Sequence, residues 1–222
     1  MDLAALVLAD GRLPTGGHAQ SAGLEPALAA GLTPGLIPDF LAARLDTVGS
    51  VDAACTVLSR RAALSSDELG PALARITHEY EARTPSPPMR AASALLGRGM
   101  VRLAERLWPH HDPVQALRAL PRPPRPVALG VVCALAGLDD IQSARVCLYE
   151  DAQTVASAAP KLLPVDPLEP VRWVLDAADV IERAAVRAVA VSSPEDIPAT
   201  AAPLTELWSL DHAERERRIF HA

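Results

Sequence analysis

Hydrophobic residues recur at intervals of three and four positions along most of the chain, which is the spacing that places side chains on one face of an α-helix. The segments with this spacing cover residues 3–7, 40–48, 52–63, 69–80, 89–107, 127–138, 139–159 and 171–185. Residues 185–191 have the composition of a β-strand, but no second strand pattern is present to pair with them. The pattern therefore predicts an all-α protein.

Prolines separate these helical segments from one another. The chain has 21 prolines, roughly twice the usual share, and they cluster at 85–88 and 121–126. We expect a single-domain bundle over residues 1–222 that contains roughly eight to ten helices, many of them short and bounded by proline. Residues 211–222 are predicted to form a flexible C-terminal tail.

Two helix boundaries are indicated by proline in the last third of the chain. Pro160 should kink or end the helix before it and leave Lys161 in the turn that follows. Asp166, Pro167 and Glu169 form the pattern of a helix start, in which an acidic side chain caps free N–H groups and proline takes the first helical position.

Composition restricts the classes of partner. The formal net charge is −6 and the sequence pI is about 5.5, whereas proteins that bind nucleic acids usually carry a basic surface. No apolar run reaches the ~18 residues that would predict a transmembrane helix. The three cysteines, Cys55, Cys133 and Cys147, form no C-x-x-C pair and cannot all be joined in disulfides. We therefore expect a cytoplasmic protein with no nucleic-acid or membrane partner.

Motifs of the common enzyme classes are missing from the sequence. Lys161 is the only lysine, and it is not part of the Gly-Lys-Ser/Thr sequence of a nucleotide-binding P-loop. No serine, histidine and carboxylate are arranged as a nucleophile with its base. His110 and His111 lie between two prolines, so an exposed loop is favoured over a metal site. We predict no catalytic residues and no stably bound cofactor, and hence a protein that acts through its surfaces and is not an enzyme.

Four groups of residues, in order along nearly the whole chain, resemble the UreF family of urease accessory proteins. The groups are Asp10 with residues 13–17, Ser21 and 23–25; residues 90–93 with 97–98; residues 126–127 with Gly130, 147–149 and 157–164; and residues 211–212 with 217–220. Each group alone is weak, but the order and spacing of all four are specific. The family-signature residues that we expect to shape the structure or its surface are Pro14, Thr15, Gly16, Gly17, Glu25, Arg90, Ser93 and Gly97.

This resemblance implies an all-α, non-enzymatic maturation factor that is a homodimer in its complex. UreF proteins join a second accessory protein, UreD (UreH in some species), and the GTPase UreG, and the assembly docks on apo-urease. The implied role is to scaffold and regulate the complex that inserts nickel, including modulation of the UreG GTPase. Nickel is then a transferred ion, and GTP enters only through the partner GTPase. The alternative is a stand-alone nickel-binding metallochaperone that holds the metal through His18, His110 and His111.

The resemblance also assigns roles to individual residues. Arg145 and Tyr149 correspond to family positions at the dimer and GTPase-partner surfaces, and their i,i+4 spacing places them on one helical face. Lys161 corresponds to a basic position linked to control of the GTPase. The tail residues that correspond to the segment ordered against UreD are Arg217, Arg218, Ile219 and Phe220.

The sequence departs from the family pattern at several of these positions. Asp166 and Pro167 replace a flexible Gly-Gln link, and Pro160 directly precedes the basic position. Arg125 replaces a histidine, so we expect no metal contact there. His18 stands where an aromatic residue is common, which makes it a candidate nickel ligand or, alternatively, part of a polar rim. We predict no other metal ligand.

Overall fold

The structure is a computed structural model that describes residues 3–65, 68–200, 202–216 and 218–220. These ranges contain α-helices and short 3-10 or π-helical turns but no β-strand, so the all-α prediction is confirmed. The helices are α1 (Leu3–Leu8), α2 (Leu24–Ala29), α3 (Ile37–Arg44), α4 (Ser50–Ser65), α5 (Leu69–Ala82), α6 (Pro87–Leu107), α7 (Asp112–Ala119), α8 (Arg125–Leu135), α9 (Asp140–Leu162), α10 (Glu169–Asp176), α11 (Ala178–Ala190) and α12 (Pro203–Ala213). No helix within the described part of the chain is both long enough and apolar enough to cross a membrane.

Prolines mark the starts of half of these helices. Helices α3, α6, α7, α8, α10 and α12 each have proline at the first or second position. Proline is well placed there because its fixed φ suits the first turn and its missing N–H has no partner within the helix. Helices α1, α2, α3, α7 and α10 are eight residues long or shorter.

Helix α4 is the central helix of the fold and packs against α5, α8, α9 and α11. Its residues from Ser50 to Ser59 are all buried. The contact with α8 is close because Gly130 has no side chain, and a Cβ atom there would overlap the carbonyl oxygen of Thr56. The Thr56 hydroxyl also donates a hydrogen bond of 3.2 Å to the carbonyl of Pro126. Small residues therefore allow the helix–helix approach that an alanine-rich sequence favours.

Helices α3 and α4 are joined by a π-helical turn, Leu45–Gly49, rather than by a loop. The two separate segments predicted at 40–48 and 52–63 are therefore parts of one helical run. A Cβ atom at Gly49 would lie 3.0 Å from the Leu148 side chain of α9. A π-turn contains one residue more than a regular α-helical turn, and this turn lies where α4 meets α9. Single π-turns within helices are frequent at functional sites.

Two hydrophobic clusters fill the interior. The first lies between α4, α5, α6, α7 and α8, and the second lies between α2, α3, α9, α10 and α11. Helix α4 belongs to both clusters, with Cys55 in the first and Val57 in the second. The second cluster also holds Phe220, although that residue lies two positions from the end of the sequence.

Pro160 does not end α9, so the prediction that Lys161 lies in a following turn is wrong. The helix continues to Leu162, and Lys161 lies in its last turn. A proline inside a helix removes one hydrogen bond and crowds the carbonyl four residues earlier. The helix nevertheless keeps its final hydrogen bond, because the N–H of Leu163 donates to the carbonyl of Ala159 at 2.9 Å.

The helix start predicted at Asp166 is also wrong in position. The Asp166 carboxylate accepts from the N–H of Leu168 at 2.9 Å and so closes a turn, after which α10 begins at Glu169. Three helices, α2, α7 and α12, correspond to no predicted segment, and α7 has only Val114 and Leu117 on its buried side. The one segment predicted at 171–185 is divided at Ala177 into α10 and α11.

Candidate partner-binding groove

The segment between α1 and α2 is shaped by glycine and by its contact with α6. Gly16 has a φ of 99°, which favours glycine, and it begins the 3-10 turn Gly17–Ala19. The carbonyl of Thr15 lies against Gly99 so closely that a Cβ atom at Gly99 would overlap it. Pro14 is exposed, whereas Thr15 is buried. The segment is therefore fixed to α6 on one side and free to line a surface on the other.

Helix α9 supplies the facing wall. It starts at a capping box in which the Asp139 carboxylate accepts from the N–H of Gln142 and the Gln142 side chain accepts from the N–H of Asp139. Five residues at successive i,i+4 positions then follow one stripe of the helix surface, and none of them is buried. They are Arg145, Tyr149, Gln153, Ser157 and Lys161.

Helices α1 and α9 enclose a groove that we call the α1–α9 groove. One half, of ≈ 810 Å³, is lined by residues 5–6 and 9–11 and, on α9, by Arg145 and Tyr149. The other half, of ≈ 330 Å³, lies between residues 9–18 and the end of α9, and it includes Lys161. Both halves contain Ala9, Asp10, Gly11 and Gln153, so they form one continuous surface. The structure thus brings Arg145, Tyr149 and Lys161 together with the signature segment.

Arg145 is held at the edge of this groove by α11. Its guanidinium donates two hydrogen bonds to the Glu182 carboxylate, at 2.9 and 2.6 Å. This contact raises the pKa of Arg145 and lowers the pKa of Glu182. Both side chains are about half exposed, so the pair contributes little to stability, but it fixes the direction of the guanidinium. Tyr149 is 37% exposed beside it.

Behind the groove lies a buried group of five charged side chains, the internal charge cluster. Arg125 donates to Glu150 at 2.7 Å and lies 3.7 Å from Asp52, and Arg44 binds Asp151 through two hydrogen bonds of 2.8 Å. Every member is at most 15% exposed. Three acids and two bases leave one negative charge without an opposite charge, which is costly inside a protein.

Burial and neighbouring charges change the pKa values within this cluster. Burial raises the pKa of Asp52 to about 7, although Arg125 opposes the change. Burial also raises the pKa of Glu150 against the attraction of Arg125. Burial disfavours the charged form of Arg125, but Glu150 and the other nearby acids outweigh it and raise the pKa. One oxygen of Asp52, Oδ1, has no hydrogen-bond partner among the described residues. Asp52 is therefore the member that carries the uncompensated charge.

Sequence reasoning missed the internal charge cluster. It noticed Arg125 as the residue that replaces a histidine, but not that the carboxylates of Asp52, Glu150 and Asp151 would surround the two arginines. Acidic residues on the apolar sides of α4 and α9 were the available signal, because such residues are seldom buried unless they are paired.

The signature residues of α6 have structural roles. The Arg90 guanidinium donates to the carbonyls of Thr84 and Pro85, at 2.6 and 2.7 Å. The Ser93 hydroxyl accepts from the backbone N–H of Arg125 at 3.0 Å. A Cβ atom at Gly97 would overlap the carbonyl oxygen of Pro123. Arg90 therefore holds the loop before α6, whereas Ser93 and Gly97 join α6 to the start of α8 and the loop before it. None of the three lines the α1–α9 groove.

The C-terminal tail reaches the other end of the groove. Phe220 is buried, whereas Arg218 and Ile219 are exposed. Arg217, the fourth tail residue with a predicted partner role, lies outside the described residues. Glu25, the last member of the first signature group, accepts hydrogen bonds from the N–H groups of Ile219 and Phe220, at 2.8 and 2.9 Å. The first and fourth sequence groups therefore meet in the fold.

The candidate metal ligands do not come together in the described part of the chain. His18 is exposed, and its carbonyl oxygen accepts a hydrogen bond from Lys161 at 3.4 Å. His110 and His111 lie in an exposed loop before α7, as predicted. No group of three or more histidine, cysteine, aspartate or glutamate side chains within the described ranges is arranged to hold a metal ion.

Comparison with known proteins agrees with the resemblance to the UreF family. The model of the UreF family matches residues 34–178. A urease accessory protein UreF from Mycobacterium sp. (strain JLS) is 37% identical over 217 residues, which cover 97% of this chain and 96% of the relative. The same name belongs to a Mycobacterium marinum protein that is 38% identical over 218 residues, with the same coverage. These relatives are named as accessory proteins, which agrees with the prediction that the chain is not an enzyme. The chain belongs to the UreF family of urease accessory proteins.

Proposed function

We propose that this chain scaffolds and regulates the complex of UreD and UreG that inserts nickel into apo-urease, and that the α1–α9 groove is its surface for the GTPase UreG. The observation that carries the proposal is the stripe of α9 that runs from Arg145 and Tyr149 to Lys161 along one continuous groove. In this proposal nickel is a transferred ion, GTP is bound only by the partner, and the chain is a homodimer within the complex.

The chemistry of the groove suits a protein partner. Tyrosine and arginine dominate the residues that contribute most to protein–protein binding, and the groove offers one of each on adjacent turns of α9. Helix α1 adds the apolar side chain of Leu6 to the groove, and this side chain is half exposed. At the far end Lys161 supplies a cation, which can contact an acidic loop or a phosphate of a partner. Asp10, paired with Arg12 at 2.7 Å, adds charge where the two halves of the groove meet. Such a mixture of apolar and charged surface is typical of a protein interface.

Free and buried cysteines support a reducing compartment as the place of action. Cys55, Cys133 and Cys147 are all unpaired in the structure. Disulfides form and persist in oxidising compartments and are rare in the cytosol. We therefore propose that the complex assembles in the cytoplasm.

Replacement of Tyr149 by aspartate tests the assignment of the groove. The new carboxylate would place a charge between the apolar residues of α1 and α9, so we expect the variant to co-purify with UreG at less than about a tenth of the wild-type yield. Leu64→Asp is the matched control, because Leu64 is 58% exposed on α4 and does not line the groove. Equal recovery of UreG with Tyr149→Asp and with Leu64→Asp would refute the assignment.

The tail gives an independent test of the contact with UreD. Removal of the last six residues deletes Phe220 and the exposed residues beside it, so we expect UreD to dissociate faster from the truncated chain. Intact co-purification with UreD, at wild-type stoichiometry and salt resistance, would contradict this part of the proposal.

A further inference from the structure

The last described residues of the tail are fixed by a single carboxylate. Both oxygens of Glu25 accept from the main chain of the tail, Oε1 from the N–H of Ile219 at 2.8 Å and Oε2 from the N–H of Phe220 at 2.9 Å. Hydrogen bonds from N–H groups to an ionised carboxylate are stronger than those between neutral groups. Because the donors belong to the backbone, the contact fixes the path of the chain and not only one side chain.

Two further contacts hold Phe220 in place. Its ring is 4% exposed and belongs to the hydrophobic cluster that contains Leu24 and Ala27 of α2. The imidazole of His212, 1% exposed, has Nε2 at 3.4 Å from the carbonyl oxygen of Phe220 and at 3.6 Å from Oε2 of Glu25. We call Glu25, His212 and Phe220 the tail clasp.

The tail clasp places an aromatic ring beside Lys161. The ammonium nitrogen of Lys161 lies 5.2 Å from the centroid of the Phe220 ring, within the range of a cation–π contact. The same nitrogen donates to the carbonyl of His18 at 3.4 Å. A lysine side chain has four rotatable carbon–carbon bonds and otherwise samples many directions at a surface. Phe220 on one side and His18 on the other therefore select one direction, toward the signature segment.

We propose that Phe220, held by Glu25 and His212, is a positioning residue for Lys161, so that docking of the C-terminal tail sets where this cation is presented in the α1–α9 groove. The inference rests on the proposed function only in its last step, the use of Lys161 by a partner. The tail then acts on the partner through Lys161 in addition to any contact that the tail makes itself.

The chemical reactivity of Lys161 tests the clasp without any partner. Lys161 is the only lysine in the chain, so an amine-specific acylating reagent modifies its side chain and the terminal amine alone. The reagent must reach the Lys161 nitrogen, and the Phe220 ring on one side and the His18 carbonyl on the other restrict its approach. Peptide mass spectrometry gives the acylation rate of Lys161, with the terminal amine as the internal reference.

We expect Glu25→Gln and Phe220→Leu to raise this rate about threefold, the factor that one exposed cation–π contact supplies. Leucine fills the apolar site but has no ring, whereas Phe220→Tyr keeps the ring and should keep the wild-type rate. Glu195→Gln is the control for a lost carboxylate, because Glu195 forms an exposed ion pair with Arg75 outside the clasp. Hydrogen exchange at the amides of residues 219 and 220 should accelerate in Glu25→Gln and shows whether the clasp has opened.

Unchanged acylation of Lys161 in both Glu25→Gln and Phe220→Leu would overturn the proposal, as would equal rates for Phe220→Leu and Phe220→Tyr. Failure of the proposed function gives a different result. In that case acylation rises as expected, but the GTPase rate of added UreG is the same with wild type, Phe220→Leu and Lys161→Gln. The reactivity of Lys161 and the response of the partner therefore separate the two inferences.

Discussion

Asp52→Asn should stabilise the protein, and the gain should depend on pH. The internal charge cluster holds three acids and two arginines, and Asp52 has an oxygen without a partner among the described residues. Asparagine has nearly the same shape and leaves two acids opposite two bases. A buried charge that is only partly compensated costs more than a neutral side chain of the same volume.

The size and sign of the effect follow from the pKa of Asp52, which burial raises from 3.8 to about 7. The folded chain therefore binds the proton more tightly than the unfolded chain, and stability falls as the pH rises from ~4 to ~7 and is constant above that. A difference of about three pH units corresponds to about 4 kcal/mol. We expect the variant to recover about 4 kcal/mol at pH 8 but only about 1.5 kcal/mol at pH 5, where the unfolded chain has already released the proton that folded Asp52 keeps.

Urea unfolding of the wild type and of Asp52→Asn at pH 5 and pH 8 measures this difference directly. Asp151→Asn is the matched control, because Asp151 accepts two hydrogen bonds from Arg44. That variant leaves a buried guanidinium unpaired, so we expect a loss of about 3 kcal/mol at both pH values. The reasoning would be refuted if Asp52→Asn lost stability at pH 8, or if its difference from wild type were the same at pH 5 and pH 8.

Further predictions concern close packing and the end of α11. Gly97→Ala should lower the free energy of unfolding by about 3 kcal/mol because its Cβ meets the carbonyl of Pro123, whereas Gly70→Ala, with open space around it, should be neutral or stabilising in the same thermal melt. Arg61→Ala should cost about 2 kcal/mol, since the guanidinium binds Asp140 and the last carbonyls of α11. Melting temperatures of wild-type level for Gly97→Ala or Arg61→Ala would contradict these assignments.

The fold was predictable from the sequence because a helix with one buried face has apolar residues at every third or fourth position. This pattern can be recognised without any knowledge of tertiary contacts. The errors occur where the hydrophobic pattern is short, or where contacts with distant parts of the chain determine how far a helix extends. Helix α7 has only two buried apolar residues. Proline disfavours the interior of a helix, yet α9 continues for two residues past Pro160. The loss of one backbone hydrogen bond is not enough to end the helix there.

The candidate site was predictable in part. The i,i+4 spacing of Arg145 and Tyr149 placed them correctly on one face of α9, but no spacing rule relates α9 to α1, which is more than a hundred residues earlier in the sequence. The same limit applies to Glu25 and Phe220, whose contact spans 195 residues. The order of the four sequence groups indicated that Glu25 and Phe220 belong to one family pattern. Only the packing of α2 against α12 explains why these two distant residues are in contact.

Ion pairs to neighbouring helices fix the rotation of α9 about its own axis, and this rotation determines which side chains face the groove. Three of the ion pairs between this helix and its neighbours lie beyond its first turn: Arg125 of α8 binds Glu150, Arg44 of α3 binds Asp151, and Glu182 of α11 binds Arg145. A helix that slipped by one residue would turn its side chains by about 100° and lose all three contacts. The stripe that ends at Lys161 therefore keeps a fixed direction, which a surface must have if a partner is to recognise several of its side chains at once. The buried charges cost stability, but they fix the rotation of the helix that carries the groove.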